Sequence, residues 1–297
     1  MLKSIALNKT SGFATKLKDY LLLVKLRLTI SVVVSAVLGY LIAIGSGFEI
    51  NAIIALSIGG LLVVGSANGI NQIIEKDFDS KMIRTNNRPL ATNRMTVFEA
   101  ALFCIITGVA GVYILGTFLN QLSAILGFIS LISYGFFYTP LKRFSSIAVY
   151  IGAIPGAIPP MLGWVAATGK LEIGAAILFA IQFLWQFPHF WAIAWLLDED
   201  YKRAGYNLLP SKSGKSKLSA FIVFIFTLAL IPLSALPYFI GIAGIGSLIP
   251  ILILGILISF FAFKLYKTLE KNDAKKLMFF SILYNTAVLL ILFIDKL

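Results

Sequence analysis

The sequence predicts an all-α integral membrane protein with nine transmembrane helices. Three observations indicate this fold: the composition, the length of the apolar runs and the placement of the basic residues. Of the 297 residues, 59% are hydrophobic and 13% are charged, and the mean hydropathy is +0.93. A soluble domain carries about 25% charged residues. This chain therefore cannot cover itself with polar surface in water, and a lipid bilayer must be part of its solvent.

The apolar runs are long enough to cross a bilayer as helices. They lack the period-two alternation of membrane-barrel strands, and a helix satisfies its own backbone hydrogen bonds in lipid. The glycine-rich stretch 241–246 makes the seventh and eighth runs the hardest to separate. We therefore predict a single polytopic domain over 1–297, with spans near 21–45, 51–74, 97–117, 121–138, 146–167, 172–197, 217–240, 243–263 and 277–295.

The basic residues lie almost entirely on one side of these spans. Sorted by connector, 23 of the 25 Lys and Arg residues fall in the N-terminal segment and the 2–3, 4–5, 6–7 and 8–9 connectors, leaving Lys170 and Lys296 opposite. Positive charge in short connectors marks the cytoplasmic face. We expect a cytoplasmic N-terminus, an external C-terminus and a plasma-membrane location of bacterial type. The net charge of +12 is then a topology signal that also attracts anionic lipid heads, and it requires no nucleic-acid partner.

Three carboxylates, Glu75, Asp77 and Asp79, follow the second span. Asn71, Glu75 and Asp79 are spaced to share one helix face, whereas Asp77 points away from it unless the helix ends or bends there. Carboxylates at a membrane boundary repel one another and lose hydration, and hard oxygen ligands at this density suit Mg²⁺. The alternative is a solvated, charge-balanced loop. Four basic residues lie among or just after these carboxylates, and they could bind the free oxygens of a diphosphate. They are Lys76, Lys81, Arg84 and Arg88.

A second acidic cluster follows the sixth span. Asp198, Glu199 and Asp200 precede Lys202 and Arg203. A polar helix end capped by the nearby glycine would explain these residues as well. Both clusters lie on the predicted cytoplasmic side of the spans.

His189 is the only histidine, and it lies within the sixth apolar run. An intramembrane histidine is a functional candidate, although the carbonyl freed by the adjacent Pro188 could simply satisfy it. The Gly- and Pro-rich segment 151–163 predicts a broken helix that can approach a flat ligand closely.

Five segments, two of them overlapping, resemble a known family. Asn71-x-x-x-Glu75-x-x-x-Asp79 resembles the Asn-x-x-x-Asp-x-x-x-Asp motif of the UbiA-type intramembrane prenyltransferases, with Glu75 where that family has Asp. The runs 75–90, Trp-Gln-Phe-Pro-His-Phe at 185–190 and Asp-Tyr-x-x-Ala-Gly at 200–205 are similar to its heme O synthase branch. The run 138–143 matches a family segment near the diphosphate. The resemblance covers nearly the whole chain.

The resemblance implies nine helices around a central cavity that opens to the cytoplasmic side. It also implies farnesyl diphosphate as donor, heme b as acceptor and Mg²⁺ as cofactor, with membrane lipid around the chain and a downstream heme-modifying or oxidase-assembly protein as a further partner. The reaction implied is transfer of a farnesyl group to a heme vinyl group with addition of water. Two alternatives stay open: a prenyltransferase acting on a quinone precursor or another porphyrin-type ring, and a transporter whose acidic loops are gates. The nearly apolar mid-span residues disfavour a transporter.

The resemblance also assigns roles to residues. In the heme site, His189 would ligate iron or bind a propionate. The catalytic residues implied are Asn71, Glu75, Asp79, Arg84 and Lys142; the diphosphate-binding residues are Lys76, Arg84, Arg88, Lys142, Arg143 and Lys202; the heme-binding residues are Trp185, Gln186 and His189; and the metal ligands are Glu75, Asp77, Asp79, Asp198 and Asp200.

Overall fold

The structure is a computed structural model that describes residues 12–45 and 47–297. Two of the basic residues counted above, Lys3 and Lys9, lie outside the described residues. The helices are α1 (Phe13–Leu23), α2 (Leu26–Ala43), α3 (Ile50–Asp79), α4 (Val97–Phe118), α5 (Gln121–Ile132), α6 (Thr139–Leu141), α7 (Ala148–Thr168), α8 (Ile173–Leu196), α9 (Asp198–Arg203), α10 (Lys217–Phe239), α11 (Ile245–Thr268) and α12 (Lys271–Ile294). A π-helical turn, Ser133–Tyr138, joins α5 to α6.

The part of the chain that the structure describes contains nine spans long and apolar enough to cross a membrane, which confirms the predicted number. The first apolar run is two helices, because Lys25 adopts a left-handed backbone conformation (φ 50°) between α1 and α2. Such a conformation interrupts a right-handed helix. The spans alternate in direction, so the connectors 80–96, 142–147, 197–216 and 269–270 share one end of the bundle. We call this the basic end.

Helix α7 is the most buried span, and it packs against α2, α5 and α8. Its approach to α2 depends on two glycines. A methyl group on Gly163 would collide with the carbonyl of Ala36, and one on Gly39 would collide with the carbonyl of Pro160. Small residues allow helix backbones to approach closely in a membrane. These two contacts therefore fix α2 against the centre of the bundle.

The predicted break in α7 is wrong. The helix is continuous from Ala148 to Thr168 although Pro155, Pro159 and Pro160 lie inside it. Each proline removes one helical donor. Pro159 leaves the carbonyl of Pro155 without its donor, and the Ser130 hydroxyl of α5 donates to that carbonyl at 3.3 Å. A neighbouring helix thus replaces the lost hydrogen bond, as happens in packed membrane helices.

The first and last spans are tied together at the end opposite the basic end. The Lys296 ammonium donates to the carbonyls of Leu41 and Ile44 at 2.7 and 2.6 Å. The backbone of Leu297 donates to Ile242, and Gly244 donates to Asp295. These bonds join the end of α12 to the end of α2 and to the turn between α10 and α11.

Candidate active site

The polar end of α3 presents one buried face to the bundle interior. Asn71, Glu75 and Asp79 are each almost fully buried on it, as their spacing predicts. The helix continues without a bend to Asp79, so Asp77 lies on another face and is exposed. The prediction that Asp77 is a metal ligand is not supported, because a residue two positions from Glu75 and from Asp79 points to the opposite side of the helix.

Two ion pairs hold the carboxylates of this face. The Lys142 ammonium lies 2.8 Å from Glu75 Oε1, and both side chains are almost fully buried. The Arg88 guanidinium donates to both oxygens of Asp79 at 2.8 and 2.7 Å. Burial lowers the pKa of Lys142, but Glu75 together with Tyr201 and Tyr134 opposes that effect, and the pKa is raised above its ordinary value. Lys142 is therefore a fixed positive charge at neutral pH.

The π-helical turn brings α6 toward α3. Thr139 Oγ1 donates to the Tyr134 carbonyl at 2.8 Å and accepts from Asn71 Nδ2 at 3.1 Å. Lys142 follows one turn later, and its ammonium lies over the rings of Tyr138 and Tyr206, 5.5 and 5.1 Å from their centroids. Such π-turns recur at functional sites. Here the turn allows one helix end to supply both a hydrogen bond and a buried cation to the α3 face.

The second acidic cluster contacts the loop after α3. The Asp200 carboxylate accepts from the backbone N–H groups of Ile83 and Arg84 at 2.8 and 3.1 Å, and from Arg203 at 3.3 Å. The two acidic loops, more than a hundred residues apart in the chain, are thereby in direct contact at the basic end. Asp200 thus organises the backbone that carries Arg84.

The five predicted metal ligands do not form one cluster. Asp198 pairs with Lys202 at 2.8 Å and lies 3.9 Å from Lys215. Within residues 12–45 and 47–297, no group of three Asp, Glu, His or Cys side chains could hold a metal ion. Glu75, Asp79 and Asp198 each have a basic partner. The carboxylate face of α3 is thus charge-compensated in this state.

The remaining predicted cations are divided between the site and the surface. Arg143 donates to the Ile74 carbonyl and lies 4.3 Å from the centroid of the Phe78 ring, so its guanidinium is anchored beside α3. Arg84 is exposed, and only its backbone is held. The Lys202 side chain is 65% exposed. Lys76 is partly buried, on the α3 face next to that of Glu75. The structure therefore brings Arg88, Lys142 and Arg143 to the α3 face, and Lys76 and Lys202 lie outside it.

Lys25 is a site residue that the sequence reasoning missed. Its ammonium donates to Asn71 Oδ1 at 3.0 Å. The desolvation it experiences, followed by the Arg88 charge, lowers the pKa of Lys25 to about 7, against the opposing attraction of Glu75 and Asp79. In the sequence Lys25 reads as one more topology charge at the start of the first span. Only the left-handed turn between α1 and α2 directs it to the carboxylate face.

A cavity of about 330 Å³ adjoins this polar face inside the bundle. Asn68 and Tyr134 are among its lining residues, and Asn68 lies one helical turn before Asn71. The walls come from α2, α3, α5, α7, α8 and α12, and they are mostly apolar. Several lining residues of α2 and α12 are exposed on the bundle surface, so the cavity reaches the lipid between these helices; they include Leu28, Val34, Ile282 and Thr286.

His189 lines this cavity, and a hydrogen bond holds its ring. Its Nδ1 lies 2.8 Å from Ser281 Oγ, and the Ser281 hydroxyl donates to the Met278 carbonyl at 2.6 Å. A Ser281 hydroxyl that donates to Met278 accepts from Nδ1–H, and this arrangement leaves the lone pair on Nε2. The Trp185 ring stacks on the imidazole at 4.9 Å, and its Nε1 donates to the Ser281 carbonyl. The carbonyl freed by Pro188 does not satisfy this histidine.

Gln186 also lines the cavity, but its amide serves the fold. Nε2 donates to the carbonyls of Ala153 and Gln182 at 3.0 and 3.2 Å. A methyl group on Gly156 would collide with Oε1 of the same amide. Gln186 therefore links α8 to α7 through a space that only glycine leaves open.

The cavity and the polar face of α3, together with the sequence match, define the class of protein. An apolar cavity open to lipid ends at a buried face of carboxylates and cations, and the sequence matches the UbiA prenyltransferase family over residues 32–285. The chain belongs to the UbiA prenyltransferase family.

Within this family, the chain is similar to relatives that share one name. The chain is 46% identical to the protoheme IX farnesyltransferase of Cytophaga hutchinsonii, over 95% of this chain and 99% of the relative. It is 41% identical to the protoheme IX farnesyltransferase of Christiangramia forsetii, over 95% of each.

Solved structures share the fold. A digeranylgeranylglyceryl phosphate synthase superposes with a TM-score of 0.79 at 26% identity, over 94% of this chain and 98% of that one. A UbiA homologue from Archaeoglobus fulgidus, bound to GPP and Mg²⁺, superposes with a TM-score of 0.66 at 16% identity, over 92% and 99%.

Proposed function

We propose that this protein transfers a farnesyl group from farnesyl diphosphate to a vinyl group of heme b, with addition of water, to give heme O. The observation that carries the proposal is the continuity of the site. The paired carboxylates and cations of the α3 face adjoin a lipid-open cavity in which an imidazole keeps a free Nε2. The names of the relatives supply the identities of donor and acceptor.

The diphosphate would bind among the cations of the basic end. Lys25, Arg88, Lys142 and Arg143 all approach the α3 face from different elements. Arg84 is free to close over the substrate from the loop that Asp200 holds. Charge-assisted hydrogen bonds from several cations to phosphate oxygens are strong. They would stabilise the negative charge that develops on the leaving group.

Magnesium fits the carboxylates of this face. Glu75 and Asp79 supply hard oxygen donors, and Mg²⁺ commonly uses one or two carboxylates while keeping waters and substrate phosphate oxygens. The lack of a ready cage of three carboxylates among the described residues suits an ion that arrives with its substrate. When bound, Mg²⁺ would act as a Lewis acid on the diphosphate. Asp200, through the loop contact, would hold Arg84 rather than the metal.

The reaction separates into bond breaking and bond making. The C1–O bond of farnesyl diphosphate breaks, and its electron pair leaves with the diphosphate, which the cations stabilise. The terminal carbon of the vinyl group attacks the allylic cation, and the positive charge moves to the other vinyl carbon. Water adds there and releases one proton to the medium. The apolar cavity walls would exclude other water from the first cation.

His189 would orient the heme. With Nδ1 donating to Ser281, its Nε2 lone pair would be available in the cavity, and a neutral imidazole nitrogen is a common axial ligand of heme iron. Trp185 fixes the ring by stacking. Ser281→Ala would release the ring without removing it. We therefore expect a weaker, heterogeneous heme spectrum in Ser281→Ala, and loss of the axial-ligand signature in His189→Ala.

The decisive experiment incubates the purified protein with farnesyl diphosphate, Mg²⁺ and heme. The expected product is heavier than heme by one farnesyl group and one hydroxyl group. Asp79→Asn and Arg88→Met should abolish it, whereas Lys202→Met, which alters an exposed pair, should retain it. Turnover with a quinone precursor but not with heme would overturn the choice of acceptor, and full activity in both Asp79→Asn and Arg88→Met would overturn the site.

We also propose that the basic end faces the cytoplasm of the plasma membrane, since positive charge in connectors marks that side. Cys104 is buried and is the only cysteine. A single cysteine placed at Lys212 should therefore react with a membrane-impermeant maleimide only in inverted vesicles. Reaction in intact cells would reverse the orientation. A heme-modifying protein on this membrane would take up the product.

A further inference from the structure

Three polar side chains that line the cavity each carry an oxygen atom with no hydrogen-bond partner in the part of the chain that the structure describes. Ser35 Oγ, Gln182 Oε1 and Asn285 Oδ1 are each buried and unpaired among the described residues. They come from three helices, α2, α8 and α12, and all three line the same cavity. Leaving a buried polar atom unpaired costs free energy. Such atoms in one cavity therefore indicate an occupant that carries complementary polar groups.

These groups lie farther from the α3 face than His189 does. Gln182 precedes His189 by two helical turns, about 10 Å along α8, on the side away from the basic end. Helix α12 runs in the opposite direction. Ser281 contacts His189, and Asn285 lies one turn beyond Ser281, so it is also displaced away from the basic end. An acceptor whose reactive edge meets the diphosphate would place its opposite edge among these side chains.

The hydrogen-bonding groups of a primary amide indicate which chemical group lies at the far edge of the acceptor. An amide offers one acceptor and two donors, which match the O–H donor and C=O acceptor of a neutral carboxyl group in a pair of parallel hydrogen bonds. A carboxyl group held inside a membrane protein is favoured in its neutral form by desolvation. The farnesyl tail has no group that could satisfy these atoms. Heme carries its propionic acid groups on the side of the ring away from the reacting vinyl group.

We propose that Gln182 and Asn285, assisted by Ser35, bind the propionic acid groups of the acceptor and thereby determine acceptor specificity. This inference rests on the proposed function. It assigns separate tasks along one cavity: the α3 face binds the diphosphate, His189 contacts the centre of the ring, and the amides bind its far edge.

The experiment pairs amide removal with carboxyl removal. Heme and heme dimethyl ester, in which the propionates are blocked, are titrated by absorbance into the full-length protein in detergent. Wild type should bind heme about tenfold more tightly than the ester, the effect of roughly one net hydrogen-bonded pair. Gln182→Met and Asn285→Leu should weaken heme binding about tenfold and leave ester binding unchanged. Thr286→Val is the matched control, since Thr286 lines the same cavity but its hydroxyl already donates to Ile282.

The outcomes separate the two proposals. The KM for farnesyl diphosphate should not change in either amide variant, which also shows that the variants fold. Equal weakening of heme and ester, or no weakening of either, overturns the carboxyl-binding role and leaves the proposed function intact. Failure of wild type to bind heme at all, with farnesyl diphosphate still bound, overturns both.

Discussion

Removing Lys142 should destabilise the protein far more than removing an exposed lysine of the same basic end. Lys142→Met would leave the Glu75 carboxylate buried, 2% exposed, without the cation that lies 2.8 Å from it. Breaking a buried ion pair from one side costs about 3–5 kcal/mol, because the remaining charge is uncompensated. Lys202→Met removes a cation whose side chain is 65% exposed and that pairs with Asp198, and such pairs contribute about 0–1 kcal/mol.

The measurement is unfolding by SDS titration in mixed micelles, followed by tryptophan fluorescence. Glu75→Gln combined with Lys142→Met removes both charges, and it should recover more than half of the stability lost in Lys142→Met alone. This recovery is the signature of a stranded charge, since lost packing would not be restored. The reasoning is refuted if Lys142→Met is no more destabilising than Lys202→Met, or if the double variant is as unstable as the sum of the single ones.

Three further predictions follow from other contacts. The pKa of Lys25 is about 7, and only its protonated form attracts an anion. Affinity for farnesyl diphosphate should therefore fall by up to about tenfold per pH unit as the pH rises above about 7. Lys25→Arg should flatten this dependence in a binding titration. Asp200→Asn should weaken the support of the loop that carries Arg84, seen as faster trypsin cleavage there and a higher KM for farnesyl diphosphate with heme affinity unchanged. Lys296→Met should lower the free energy of SDS unfolding by about 1–3 kcal/mol and leave both KM values unchanged, since Lys296 is remote from the α3 face.

The features that were predictable from the sequence are periodic or repeated. The nine spans follow from apolar runs, each long enough to outweigh local irregularities. The shared face of Asn71, Glu75 and Asp79 follows from helical spacing, and the same spacing argues against Asp77. Asp77 would face the site only if α3 ended or bent there, and the structure shows that α3 continues to Asp79.

The features that were not predictable depend on contacts between distant segments. Nothing in the local sequence shows that Ser130 compensates a proline of α7, so the helix was expected to break. Lys25 resembles every other topology charge until a left-handed residue conformation directs it inward. Gln182 and Asn285 are single polar residues in apolar runs, and isolated residues have no spacing that indicates a site.

The tether made by Lys296 has a consequence for product release. It joins α2 and α12 at one end only, while the cavity reaches the bilayer between the same two helices. A heme that has gained an isoprenoid chain is too hydrophobic to dissolve readily in water. Such a molecule can leave laterally into the bilayer between α2 and α12. The Lys296 hydrogen bonds keep the other end of these two helices together while it leaves.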